Sequence, residues 1–285
     1  MKILILGSDG MLGHLLSSFL TINTNFDVFN LSRNNINNST NHFICDVTDE
    51  VSFIQIIDKL KPNVIINSIG ILIKGSNISL KNTIYINSYF PNFLYELSEK
   101  YKFKLIHIST DCVFSGKDGN YSESSDKDAK DLYGLTKSLG EIISPEHLTI
   151  RTSIIGPEIK KNREGLFDWF INQDGDTLGF TNSIWTGVTT YELSKAINFS
   201  LLNDVNGLWN LCSNQKITKY DLLSQIKIKF NLNRVNLIKD NNFVSDKSLI
   251  SKRKINYIVP SYETMIQELY DYIKVNQKKY NISNL

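Results

Sequence analysis

The stretch "KILILGSDGMLGHLLSSFL" (residues 2–20) decides the fold. Its opening apolar run has no polar alternation, which is how a strand covered on both faces reads. Gly7, Gly10 and Gly13 follow as G-x-x-G-x-x-G. Leu12, Leu15, Leu16, Phe19 and Leu20 then recur at helical spacing. Glycines in a strand–turn–helix let the chain turn tightly and let a pyrophosphate approach the backbone. The helix N-terminus adds unpaired N–H groups and the positive end of its dipole. Gly7, Asp9, Gly10, Met11 and Leu12 are therefore candidate dinucleotide contacts. Glycine spacing alone is common by chance; the strand before it and the helix after it supply the specificity.

The same rhythm continues outward. "FDVFNLS" (26–32), "HFICDV" (42–47), "NVIINSIG" (63–70), "KLIHIST" (104–110) and "LTIRTSIIG" (148–156) read as strands, with helical patterns between them, among them a helix from about Leu80 to Lys100. Such alternation gives a parallel sheet with connections on both faces. Residues 1–156 form a dinucleotide-binding domain on this reading. After 156 the pattern changes to helical stretches at 166–173, 189–202 and 218–230, with fewer buried strands. Residues 157–285 are read mainly as a smaller α/β substrate-binding lobe, with about 186–203 packing back on the first domain. The polar stretch "NNINNSTN" (34–41) is a surface loop.

Composition narrows the function. Hydrophobic residues make up 41% and charged residues 21%, ordinary soluble usage. A net charge of +2 gives no electrostatic case for nucleic acid or an anionic membrane as partner. The apolar run in "MKILILGSDG" is too short for a signal peptide, and no run approaches the ~20 residues of a membrane span. Cys45, Cys112 and Cys212 are scattered, without a CxxC, so neither a disulfide framework nor a zinc site is expected. The reading is a cytoplasmic protein with no metal.

Chemistry gathers at the carboxyl ends of the strands. Ser32 and Arg33 end the second strand; a hydroxyl and a guanidinium suit a 2′-phosphate, which favours NADPH, with NADH as the alternative. Asp46 and Val47 could meet the adenine edge, and Ser68, Ile69 and Gly70 end the fourth strand. Ser109 and Thr110 end the fifth. In "LYGLTKSLGE" (132–141), Tyr133 and Lys137 stand i, i+4 on one helical face. A tyrosine titrates near ~10. An ammonium and the positive ring of an oxidised nicotinamide favour its phenolate, so Tyr133 can serve as general acid and base. Thr110 or Ser109 can hold a carbonyl oxygen. Ser153 follows the sixth strand and faces the same cleft.

The order and wording resemble the extended short-chain dehydrogenase/reductase superfamily, and most of all its dTDP-4-dehydrorhamnose reductase branch. "ISTDCVFSGKDGNYSE", "YGLTKSLGE" and "IRTSIIG" carry the likeness. It implies a Rossmann-type doubly wound parallel sheet with a smaller C-terminal lobe, and an enzyme reducing the 4-keto group of a nucleotide-linked 6-deoxysugar. It implies Thr110, Tyr133 and Lys137 as the catalytic set. It also makes Asn87 a support for the lysine and a substrate-side residue. Apart from the resemblance, Trp169, Gln173 and Trp185 of the second lobe are candidate substrate contacts, since an indole can stack on a uracil or sugar face, with core packing as the alternative. Departures redirect the substrate. The rhamnose enzymes usually carry tryptophan where this chain has Ile154, and proline before the tyrosine where "SSDKDAKDLYG" has none. "LTIRTSIIGPE", "WFINQDGDTLGF" and "WTGVTTYEL" are instead similar to reductases of UDP-2-acetamido-2,6-dideoxy-hexos-4-uloses, in pathways to L-series acetamido sugars of surface polysaccharides. Other relatives are regulatory subunits that bind the dinucleotide without reducing anything, and an epimerase that keeps its cofactor is a third reading. The resemblance leaves a homodimer open.

Overall fold

Apolar runs separated by helices must fold so that each crossover returns over the sheet with one hand. A computed structural model describes residues 1–36, 41–76, 78–161 and 163–280; positions 37–40 of the predicted 34–41 loop lie outside them. The strands are β1 (Lys2–Leu6), β2 (Asp27–Ser32), β3 (His42–Ile44), β4 (Val64–Asn67), β5 (Lys104–Thr110), β6 (Leu148–Thr152), β7 (Ile154–Ile155), β8 (Gly175–Trp185), β9 (Val188–Thr189), β10 (Gly207–Asn210), β11 (Ile217–Thr218) and β12 (Val235–Asp246). Seven of them form one parallel sheet in the order β10-β6-β5-β4-β1-β2-β3.

Both faces of this sheet are apolar. Ile3 and Ile5 join one core with Leu15, Leu16, Ile66, Ile106 and Ile150. Leu4 and Leu6 join another with Phe53, Ile57, Ile65, Phe90 and Leu105. Each such side chain contributes roughly 1.5–3 kcal/mol by leaving water. The order in which strands are added to the sheet reverses between β1 and β4, and in open α/β sheets the crevice at that switch point receives ligands. The flanking helices are locally well specified. Asp49 caps the helix Glu50–Leu60 by accepting from Ser52 N–H, and Lys61 ends it in the left-handed region. Asp131 caps the helix Leu132–Leu139 by accepting from Gly134 N–H at 2.9 Å.

Several elements differ from the sequence reading. The third strand stops at Ile44, short of the predicted 47. The predicted strand 148–156 breaks at Ser153, whose carbonyl accepts from Val188 N–H, so that β7 leaves the large sheet and pairs with β9. The single helix predicted from Leu80 to Lys100 is a helix Leu80–Ile84, a π-turn Tyr85–Tyr89 and a helix Phe90–Tyr101. Beyond residue 156 the helix at 166 ends at Ile171. Two long strands that the sequence hid, β8 and β12, run parallel there, with β11 antiparallel beside β8. The seventh strand of the large sheet is β10, later in the chain than the 186–203 segment. The helix Thr190–Leu202 packs on the helix Gly13–Asn23. Among the described residues no helix is long and apolar enough to cross a membrane.

Candidate active site

A cleft runs along the carboxyl edge of the sheet in two adjoining cavities of about 270 and 580 Å³, dimensions suited to a small-molecule site. Both are walled by Gly10, Ser68, Ile69 and Gly70. The glycine turn builds its floor. Gly7 adopts φ +79° and donates its N–H to Leu31 O. A Cβ on Gly13 would lie 2.2 Å from Gly7 O, so only glycine lets the first helix start this close to the turn. That bare backbone beside a helix start suits a pyrophosphate.

The smaller cavity is walled by Gly7, Asp9, Leu31, Ser32, Arg33, Asp46 and Val47, so the structure brings these predicted coenzyme residues together. Ser32 Oγ donates to Asp9 Oδ2 at 2.7 Å, and Arg33 is exposed at the rim. The carboxylate of Asp46 is occupied locally, accepting from Thr48 N–H and Oγ1–H at 3.0 and 2.9 Å.

The larger cavity is walled by Met11, Leu12, Ser109, Thr110, Tyr133, Lys137, Ser153 and Ile154. The helix carrying Tyr133 comes very close to the turn after β5: a Cβ on Gly134 would lie 2.3 Å from Cys112 O. This approach brings the Tyr133 phenol to the Thr110 hydroxyl. Burial pushes the phenol well above its usual range, with Cys112 adding to the rise and Thr110 opposing it. Burial pushes Lys137 down to about 8, against the opposing pull of Glu141. Lys137 Nζ donates to Ile108 O at 2.7 Å and lies 3.5 Å from His107 Nε2. Burial, the largest influence on the phenol, favours its protonated form. His107, driven well below its usual value by burial and then by Lys137, stays neutral. Burial pushes the Cys112 thiol up to about 12, which leaves it a poor nucleophile.

Four predicted contacts fall elsewhere. Asn87 is fully buried in the π-turn, where both ends of its amide are used: Oδ1 accepts from Ile71 N–H at 2.9 Å, and Nδ2 donates to Ile71 O and Thr136 Oγ1. It ties the loop after β4 to the helix of Tyr133. Trp185 is buried on Tyr262, with Lys219 Nζ 4.5 Å over its ring. Trp169 is exposed and packs on Phe170, while Gln173 Nε2 turns back to Trp169 O. Neither tryptophan nor Gln173 walls the cleft. Ser109 walls it but donates its hydroxyl to Glu141 Oε1 at 2.7 Å.

Other residues escaped sequence reasoning. Glu141 is gripped by Arg151 through two hydrogen bonds of 2.9 and 2.8 Å behind the cleft wall at Ser109, both side chains being almost fully buried. Asp111, beside Thr110, is raised by burial, and the charges of Lys219 and Lys247 from the second lobe oppose that rise. Glu158, Lys160 and Leu166 close the cleft from the same lobe. No local pattern marks them, because each meets the cleft only through tertiary folding.

A parallel sheet in 3-2-1-4-5-6 order, a glycine turn at its switch point and a tyrosine–lysine helix beside it define the fold of the extended short-chain dehydrogenase/reductases. Comparison with known proteins narrows the class: the chain belongs to the family described as RmlD substrate binding domain, whose model matches residues 1–243. It is 30% identical over 158 residues to a dTDP-4-dehydrorhamnose reductase of Aggregatibacter actinomycetemcomitans, a match spanning 53% of this chain and 51% of that relative. It thus covers about half the length of that protein. It is 25% identical to a dTDP-4-keto-6-deoxy-D-glucose reductase of Streptomyces niveus over 77% of this chain and 75% of the relative. The fold matches that of a dTDP-4-dehydrorhamnose reductase from Bacillus anthracis str. Ames in complex with NADP, with TM-score 0.80, 19% identity, and coverage of 95% and 99% of the two chains.

Proposed function

We propose that this protein reduces the 4-keto group of a nucleotide-linked 6-deoxy-4-hexulose, using NADPH or, alternatively, NADH. One arrangement carries the reading: Thr110, Tyr133 and Lys137 wall the same cavity, which adjoins the glycine turn. The residues fit a dinucleotide. Gly7, Gly10 and the start of the first helix would hold its pyrophosphate, and Lys137 would hold the nicotinamide ribose. The bound coenzyme supplies hydride to the carbonyl carbon. Tyr133 holds the ketone oxygen by a hydrogen bond, joined by Thr110 when its hydroxyl turns from Asp111 Oδ1, 3.2 Å away, and Tyr133 passes its proton to that oxygen as alkoxide character develops. A reduction needs its acid protonated at the outset, and the buried phenol is kept so. The Lys137 charge then steadies the phenolate left behind.

Our preferred substrate is a UDP-2-acetamido-2,6-dideoxy-L-hexos-4-ulose of surface polysaccharide synthesis. Ile154 supports it: an aliphatic side chain stands on the cleft wall where the rhamnose pattern carries an indole, leaving room for an acetamido group. The second reading is dTDP-4-dehydrorhamnose, favoured by the substrate words in the names of the relatives. The test is Tyr133→Phe. It should lower turnover on the keto sugar by about 10²–10⁴-fold, the usual worth of general acid catalysis, while coenzyme titration changes little. A variant that keeps near-full turnover removes the tyrosine from its role. Tight coenzyme binding by the wild type, with no turnover on any keto sugar nucleotide of a UDP and dTDP panel, favours the regulatory alternative.

A further inference from the structure

The coenzyme half of the cleft contains a carboxylate that the proposed reaction does not use. Asp9 lies within the glycine turn, is 3% exposed, and walls the same cavity as Ser32 and Arg33. Its Oδ2 accepts from Ser32 Oγ at 2.7 Å and from Ile36 N–H at 3.4 Å; its Oδ1 is buried without a hydrogen-bond partner. Among the described residues Asp9 forms no ion pair. A buried acceptor without a donor is unfavourable, and native structures seldom retain one without a reason.

Ser32 has only one proton, and it is directed at Asp9 Oδ2 or at the carbonyl of Asn34. His42 Nε2 lies 3.0 Å from the same hydroxyl. A phosphate brings acceptors and needs donors. Ser32 therefore has no free donor for a 2′-phosphate, while Asp9 brings negative charge to its surroundings. A ribose 2′-OH, by contrast, can donate to the carboxylate. Arg33, on the rim, and Lys160, on the wall of the same cavity, argue for the phosphate, and Lys279 lies within electrostatic reach of Asp9.

We infer that Asp9 is the residue that sets coenzyme choice: it favours the 2′,3′-diol of NADH and opposes the preference for NADPH that Arg33 supplies. The inference rests on the cleft being a dinucleotide site. It is tested by titrating the intact protein with NADH and NADPH, following nicotinamide fluorescence without any sugar. Wild type should bind both. Asp9→Asn keeps an acceptor for Ser32 and removes the charge, and should move the affinity ratio towards NADPH by about tenfold or more, ~1.4 kcal/mol. Arg33→Ala should move it the other way. An Asp9→Asn protein that melts like wild type with a ratio unchanged within about twofold overturns the role of Asp9 alone; should Asp9→Asn not fold, Asp9→Ser is judged by the same criterion. A wild type that binds neither dinucleotide overturns the coenzyme site, and the inference with it.

Discussion

The carboxyl edge of the large sheet and the β8–β12 ribbon draw on similar residues, Ile, Leu, Val, Asn and Asp, yet they behave differently. Every residue of β4 is buried, and of the twelve in β12 only Val235 is. The large sheet is gripped from both faces, so side chains leaving its ends have few alternatives. The ribbon covers one face and leaves Leu178, Phe180, Phe243 and Val244 at least partly in solvent. Of the groups proposed for the reaction, Thr110 ends a strand of the gripped sheet, and Tyr133 and Lys137 stand on a helix packed against that strand, where chemistry needs precise placement. Substitutions should therefore be costly behind the cleft and mild on the ribbon.

Removing the buried cation behind the cleft wall should have the largest effect. Arg151→Met leaves Glu141 in a site where burial favours the neutral acid. Breaking such a pair from one side costs about 3–5 kcal/mol. In the wild type burial works to raise Glu141, but Arg151, Ser109 and Lys127 together outweigh it and hold the carboxyl below its usual value. A depressed acid contributes stability above its unfolded value of ~4.3 and loses it as pH falls through the folded value. In the variant, burial acts with less opposition, Glu141 protonates at higher pH, and the deficit against wild type narrows on acidification. Urea midpoints at pH 7 and pH 4 measure both effects. An equal midpoint at pH 7 would mean that the gripped side of the sheet tolerates what we say it cannot. Adding Glu141→Leu should restore much of the loss, since an apolar pair of similar volume replaces a buried ion pair well.

Gly13→Ala probes the same region through shape instead of charge. The new Cβ would lie 2.2 Å from Gly7 O and 2.8 Å from Ser8 Cα, both backbone atoms that move only with the turn. Overpacking of this kind costs about 1–3 kcal/mol. The displaced turn should also weaken dinucleotide binding. A variant with wild-type melting and wild-type NADPH affinity would show the turn to be looser than its geometry implies.

The contrast between the two regions also explains what could be read in advance. The glycine turn was legible because φ +79° at Gly7 and the tight approach at Gly13 demand a residue type. Tyr133 and Lys137 were legible because helical geometry places i and i+4 together. The strands of the large sheet were legible as apolar runs. The ribbon was not: Lys239, Asp240, Asn241 and Asn242 interrupt its alternation, and its register shifts between Asp240 and Val244. Trp185 and Trp169 were assigned to substrate by residue type, but a tryptophan serves equally well as packing, and Tyr262 claims the first. Asn87 reads in the sequence as a support for the lysine, but its contacts depend on Ile71 and Thr136, which no local pattern joins to it. Asp9 was identified by position, while its pairing with Ser32, 23 residues away, emerges only in three dimensions.

The smallest effect should come from the ribbon. Phe243 is 50% exposed, and its chief neighbour is Phe180, with ring centroids 5.0 Å apart. The bulge between Asp240 and Val244 places it where the ladder is already interrupted. Phe243→Ser loses one aromatic contact, worth about 0.5–1.5 kcal/mol in a well-packed pair, and less here because half the ring is already in water. Stability should shift by about 0.5 kcal/mol or less, as for surface positions generally. Coenzyme affinity should not move, since neither ring walls the cleft. A loss above about 2 kcal/mol would point to a buried exposed-face contact and remove the distinction between the two sheets. A change in turnover with stability intact would instead draw the ribbon into the substrate site, although neither Phe180 nor Phe243 lines the cleft.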